Sequence, residues 1–288
     1  GMAVVSASVE RQSAVRISDI GELRAIALRL RQQVIRMIAA IGQGYVQQGL
    51  GAADIFTAVY FSELRLDPAD PEWAQRDRFI LSTAHNSAIF HATLAERGLI
   101  PAESLAGYCR DGSSLEINTS ERLGPMIEGS FGSLGQGLSV GVGMALSLRR
   151  KEMASRVYVL LGDGEMQEGQ VWEAALSAGA YGLGNLCMIV DYNEMQVEGH
   201  SDHVMNMEPV SAKWESFGWN VLSVDGHDFA ALRGALDAAR NEHDRPTCII
   251  ATTLVGKGSA LLEGLHAHNI RLPEDIASRV MHELEENA

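Results

Sequence analysis

Val157-Tyr158-Val159-Leu160-Leu161-Gly162-Asp163-Gly164-Glu165 decides the fold, read together with Leu186-Cys187-Met188-Ile189-Val190-Asp191-Tyr192-Asn193 downstream. Each opens as a short unbroken apolar run, without the alternation of a strand that has one face in water. Each therefore reads as a parallel strand buried on both faces, and a helix over 169–181 fits between them. That order sets the carboxyl ends of two strands side by side. Asp163 and Asn193, thirty positions apart, then arrive at one rim, where ligands of open α/β sheets bind. One carboxylate and one amide carbonyl, with no Cys or His beside them, suit a hard cation: Mg²⁺, or Ca²⁺ or Mn²⁺, completed by phosphate oxygens and water. Gly164 lets a phosphate approach the backbone with no Cβ in the way. The plainer alternative is an ordinary turn at Asp163-Gly164 and a loop residue at Asn193, since all three types are common turn formers.

On either side of this unit the same alternation continues. Strands are expected over 78–82, 219–224 and 247–254, and helices over 18–41, 52–64, 85–97, 134–151, 229–242 and 273–287, with Ser18 as N-cap of the first and Gly98 ending the third. The fold class is α/β, a parallel sheet with helices on both faces, in one domain over 18–288 behind an extension over 1–17. Glycine costs about 1 kcal/mol per interior helix position. The Gly-rich run after Gly135 therefore predicts close packing, and a subunit contact is its expected use.

The bulk numbers exclude several classes. A chain of 288 residues can bury a sizeable core, and 23 basic against 37 acidic residues, a formal −14, argue against a nucleic-acid surface or an anionic membrane. No apolar stretch has the length of a membrane span, and no leader is recognisable. Cys109, Cys187 and Cys248 cannot all pair, and the last two fall in expected strands, so reduced core thiols and a cytoplasmic setting are expected.

Three ordered segments, Gly162-Asp163-Gly164-Glu165-Met166-Gln167-Glu168-Gly169, Trp172-Glu173-Ala174-Ala175 and Asp191-Tyr192-Asn193, resemble the thiamine diphosphate motif of transketolases. Gly132-Ser133-Leu134-Gly135-Gln136-Gly137, Leu81-Ser82-Thr83-Ala84-His85 and Gly256-Lys257-Gly258 with His268 extend the resemblance from about Leu23 to Asn269. It implies a thiamine diphosphate-binding fold, of which this chain is the diphosphate half. It further implies Asp163, Asn193 and the backbone carbonyl of Met195 as metal ligands, Gly132 and Leu134 against the aminopyrimidine, and Gly164 at the diphosphate. His85 and His268 would contact the diphosphate and sugar, and Glu168 would lie at the subunit contact near the neighbouring cofactor. First-turn charge favoured by the helix dipole is an equal alternative for Glu168. His200, His203 and His227, in polar loops, are expected to be solvated.

In this family the carboxylate that activates the cofactor belongs to a second, pyrimidine-binding domain. The expectation is a split enzyme whose C-terminal subunit supplies that glutamate, assembled as two copies of each chain. Tyr45 stands where transketolases have a substrate-facing histidine, and Asn118 lies where another is missing. Both can donate hydrogen bonds, and neither titrates near neutrality. Ketol transfer from a ketose phosphate is the expected activity, with a sugar other than an ordinary pentose phosphate. A 2-oxo acid dehydrogenase or decarboxylase component serving a lipoyl or carrier-protein arm is one alternative. A non-catalytic regulatory paralogue is another.

Overall fold

In the computed structural model, which describes residues 16–110, 127–128, 135–193, 208–264 and 269–288, strands and helices alternate as the apolar runs predict. In chain order they are α1 (Ile20–Ile41), β1 (Gln43–Gly44), α2 (Val46–Ala58), β2 (Arg78–Leu81), α3 (Ser87–Glu96), α4 (Gln136–Arg150), β3 (Val157–Gly162) and α5 (Gly169–Tyr181). There follow β4 (Leu186–Tyr192), α6 (Glu208–Ser216), β5 (Asn220–Asp225), α7 (Phe229–Asn241), β6 (Thr247–Thr252), β7 (Ile270–Arg271) and α8 (Glu274–Glu286).

Among the described residues, β2-β3-β4-β6-β5 form one sheet, every neighbouring pair parallel. Period-2 geometry divides its side chains between two cores. Tyr158, Leu160, Cys187, Ile189, Ile249 and Ala251 pack in the core that also holds side chains of α1, α2, α3, α7 and α8. Val157, Val159, Leu161, Leu186, Met188, Val190, Cys248 and Ile250 pack on the opposite side, in a core shared with α4, α5 and α6. Both faces are covered, so these strands carry no polar alternation. Each of the buried Val, Leu, Ile and Met side chains contributes about 1.5–3 kcal/mol by leaving water. Cys187 and Cys248 are free thiols within this core.

Several boundaries differ from expectation. The N-cap of α1 is Asp19, whose carboxylate accepts the Glu22 N–H at 2.8 Å, and not Ser18. A carboxylate also complements the positive helix end, which a hydroxyl does not. α2 starts at Val46, six residues before position 52, because its glycines serve packing rather than a loop: a Cβ at Gly51 would stand 3.0 Å from the Leu254 carbonyl oxygen. It then widens into a π turn, Val59–Glu63, closed by Leu64 N–H on the Val59 carbonyl at 2.8 Å. The glycines of α4 likewise serve its own sheet: a Cβ at Gly137 would lie 2.5 Å from Ser82 Cβ and one at Gly141 2.7 Å from Val159 Cγ2. Gly143 alone of these faces open space, on the exposed stripe with Val140 and Ser147. Among the described residues no helix is long and apolar enough to cross a membrane.

Candidate functional site

Register puts Gly162 opposite Asp191 at the carboxyl edge of the sheet. Past Gly162 the chain enters a 3₁₀ turn, Asp163–Gln167, and past Tyr192 it reaches Asn193. The two tips meet: Asp163 Oδ2 accepts the backbone N–H of Asn193 at 2.9 Å. Gly164 is exposed, and among the described residues nothing lies within 4 Å of the place a Cβ would take, which leaves its backbone open to a ligand on that side.

Two further carboxylates stand at this rim, neither foreseen as part of it. Glu165, 2% exposed, accepts Ser82 Oγ at 2.6 Å and Gly135 N–H at 3.0 Å on Oε2, and Gly162 N–H at 3.2 Å on Oε1. It ties the ends of β2, β3 and α4 together. Burial pushes its pKa up; the three hydrogen bonds oppose that, and the charge of Glu168 adds to it. Asp191 accepts the Thr253 hydroxyl, and burial pushes its pKa up to about 7, with Thr253 opposing and Asp163 adding. The sequence signal was present: an acid inside an otherwise apolar strand, Leu186–Tyr192. Hydrogen bonds to Glu165 and Asp191 come from neutral donors, so among the described residues no protein cation neutralises these carboxylates. A hard divalent cation fits that donor chemistry.

His85 lies in the 3₁₀ turn Ala84–Asn86, between β2 and α3. That turn abuts the Asp163 turn, since a Cβ at Gly162 would stand 3.1 Å from Thr83 Cγ2. Tyr45 occupies the N-cap position of α2 and sets its ring 4.6 Å from that of His85, centroid to centroid, tilted by 34°. Beside them Asn86 donates to Thr83 Oγ1 at 3.0 Å, while its buried Oδ1 has no hydrogen-bond partner among the described residues. A buried acceptor so placed is a fitting target for a donor on a bound ligand. Glu168 precedes α5, half-buried, its Cβ 3.0 Å from the place a Gly135 Cβ would take. Asp163, Asn193, Gly164, Glu168, His85 and Tyr45 thus come from turns at the carboxyl edge. Asn118, Gly132, Leu134, Met195 and His268, with His200 and His203, lie outside the described residues.

His227 corrects the expectation of a solvated loop histidine. Its side chain is 13% exposed and both ring nitrogens are engaged, by Asp54 and by the Leu254 backbone.

The family described as transketolase, thiamine diphosphate binding domain, matches residues 23–284. A transketolase family protein of Sinorhizobium fredii is 46% identical over 238 residues, 82% of this chain and 85% of that protein. The 6-deoxy-6-sulfo-D-fructose transketolase subunit SqwG of a Clostridium species is 37% identical, over 89% of this chain and 94% of its own length. An apulose-4-phosphate transketolase subunit from Phocaeicola vulgatus is 33% identical, over 82% of this chain and 83% of its own length. Among solved structures, transketolase from Campylobacter jejuni superposes with a TM-score of 0.84 at 30% identity, covering 93% of this chain and 43% of that one. The chain spans less than half the length of that solved transketolase.

Proposed function

This chain belongs to the transketolase family, and on that premise we propose that it is one subunit of a split, thiamine diphosphate-dependent transferase that moves a two-carbon ketol unit from a ketose phosphate to an acceptor. The observation that carries the reading is the Asp163 carboxylate joined to Asn193 at the shared tip of β3 and β4, beside the open backbone of Gly164.

In this reading Asp163, Asn193 and the Met195 carbonyl hold Mg²⁺, and Gly164 admits the diphosphate. Gly132 and Leu134 flank the aminopyrimidine. His85 and His268 orient the diphosphate and the sugar hydroxyls, while Tyr45 and Asn118 donate hydrogen bonds to substrate. When bound, thiamine diphosphate supplies the acidic thiazolium carbon on which the carbon–carbon chemistry depends. The protein's share is placement and exclusion of water. Glu165 holds three backbone segments in register around the rim.

Support for a separate pyrimidine-binding partner, which would bring the activating glutamate, comes from relatives named as subunits and covered over 94% and 83% of their length. An assembly of two copies of each, in the cytoplasm, follows from the same reading, with Glu168 and the exposed stripe of α4 facing the subunit contact. Tyr45 in place of an imidazole favours a modified ketose over an ordinary pentose phosphate. Two relatives are named for such sugars.

Asp163→Ala tests the rim directly. Thiamine diphosphate with Mg²⁺ should bind at least about 100-fold more weakly by calorimetry, with an unchanged circular dichroism spectrum; undiminished affinity removes Asp163 from the site. The chain purified alone, with thiamine diphosphate and Mg²⁺, should show no ketol transfer from any ketose phosphate that the paired subunits use, and turnover without a partner would refute the split.

A further inference from the structure

His227 follows the end of β5, in the turn before α7, and reaches across to two elements at once. The backbone N–H of Leu254 donates to Nε2 at 2.8 Å, and Nδ1 lies 2.8 Å from Asp54 Oδ2 on α2. An N–H pointing at Nε2 requires a lone pair there, so the ring is neutral and its proton sits on Nδ1, donated to Asp54. Asp54 is itself gripped by the Arg31 guanidinium of α1, at 3.1 and 2.8 Å, and Arg31 Nε donates to the Leu50 carbonyl at 3.1 Å. Burial works against the Asp54 charge, but Arg31 and His227 hold its carboxyl below the ordinary value. On the histidine's own loop, Asp225 accepts the His227 backbone N–H at 2.9 Å and Asp228 caps α7.

Leu254 is the point where the chain leaves β6 for the segment 253–264. Its neighbour Thr253 donates its N–H to the Tyr192 carbonyl at 3.1 Å and its hydroxyl to Asp191, one and two residues before Asn193. Farther along, Gly256 N–H reaches the Gln47 carbonyl at 2.9 Å, close to Tyr45 in sequence. Segment 253–264 therefore spans from the Asn193 tip to the Tyr45 side of the rim, and at its entry the Leu254 N–H is held by the His227 imidazole while Thr253 is held by β4.

We propose that His227 is a positioning residue: its neutral ring, braced by Asp54 and Arg31, holds segment 253–264 against the rim where Asp163 and Asn193 meet. Its link to cofactor binding rests on the function proposed above; its hold on Leu254 does not.

Two substitutions divide the ring's roles. In His227→Gln the amide oxygen can replace Nε2 as acceptor for Leu254, whereas His227→Asn reaches only Asp54. Hydrogen exchange at the Leu254 amide of the full chain, corrected for intrinsic rate, gives the direct readout. At about pH 8, protection should match wild type in the Gln variant and fall about tenfold in the Asn variant, the scale of one orphaned N–H. Equal protection in wild type and His227→Asn, loss in both variants alike, or loss spreading through β6 and α7 overturns the clamp. Affinity for thiamine diphosphate with Mg²⁺ should fall about tenfold in His227→Asn only. Equal affinities despite lost Leu254 protection disconnect the clamp from the rim and so overturn the proposal. A wild type that binds no thiamine diphosphate sinks the functional reading instead, and exchange at Leu254 still decides the clamp.

Discussion

The two edges of the sheet bury carboxylates in opposite ways. At the amino edge, Glu63 and Asp77 meet arginines: Arg240 lies 2.8 Å from Glu63 and 3.2 Å from Asp77, and Arg65 lies 3.3 Å from Asp77. Tyr158 bridges the group, donating to Glu63 at 2.5 Å and accepting from Arg156 and Arg240. At the carboxyl edge, among the described residues, Glu165 and Asp191 receive hydrogen bonds only from hydroxyls and backbone N–H groups, and burial lifts both pKa values. Paired charges spend their fields on one another and leave nothing for a ligand. A rim whose carboxylates are met only by neutral dipoles leaves their charge costly and uncompensated, so a cation arriving there relieves a cost that the fold alone does not.

That contrast can be broken most severely at the amino edge. Removing one partner of a buried ion pair costs about 3–5 kcal/mol, because the other charge stays behind. Arg240→Met should cost that much in urea denaturation, since burial opposes the guanidinium charge but Tyr158, Glu63 and Asp77 together hold it firmly protonated. A loss below about 1 kcal/mol, the scale of an exposed pair, would erase the distinction between the edges.

A third answer to burial appears at His91 on α3, which is fully buried with no partner for either ring nitrogen among the described residues. It gives up its charge: burial pushes its pKa from 6.5 down to about 4. The unfolded chain then takes up a proton at higher pH than the folded one. Stability is full above about pH 6.5 and is lost as pH falls toward 4. His91→Leu should remove that slope, gaining about 2.5 kcal/mol on wild type between about pH 7.5 and pH 4.5, by denaturant midpoints at each pH. Parallel slopes would assign the acid sensitivity elsewhere.

How much of this was legible in the sequence follows from range. The strands around Asp163 and Asn193 were readable because burial on both faces writes itself as a local apolar run. Helix α6 was not, having one fully buried anchor, Trp214, in a polar nine-residue segment. The pairing of β1 with β7 joins two residues to two, too few for any pattern. Long-range polar networks leave no local trace: His227 finds Asp54 173 positions away, and Arg240 finds Glu63 177 positions away. Asp163 and Asn193 could be paired from sequence because one strand–helix–strand unit carries both. Glu165 was visible as a residue of the motif, but nothing local marks a glutamate after a strand as buried. Only the fold shows that it is buried and triply bonded.

Glu165 is also where the two edges can be compared at finest scale. Replacing it with Gln keeps size and one acceptor oxygen but sets an amide NH₂ where a carboxylate oxygen stood. If the remaining oxygen serves Ser82 and Gly135, the NH₂ faces the Gly162 N–H. If it serves Gly162, Ser82 can rotate to accept, but Gly135 N–H is orphaned. Either arrangement strands one backbone donor, costing about 1–2 kcal/mol, offset in part because a buried charge is removed. The expected loss in urea denaturation is therefore small, well under that of Arg240→Met. Binding of Mg²⁺ with thiamine diphosphate should weaken as the rim loses potential. A loss as large as the amino-edge variant's would mean that Glu165 is held as a charge by a cationic partner, and the rim would then resemble the closed edge it is contrasted with.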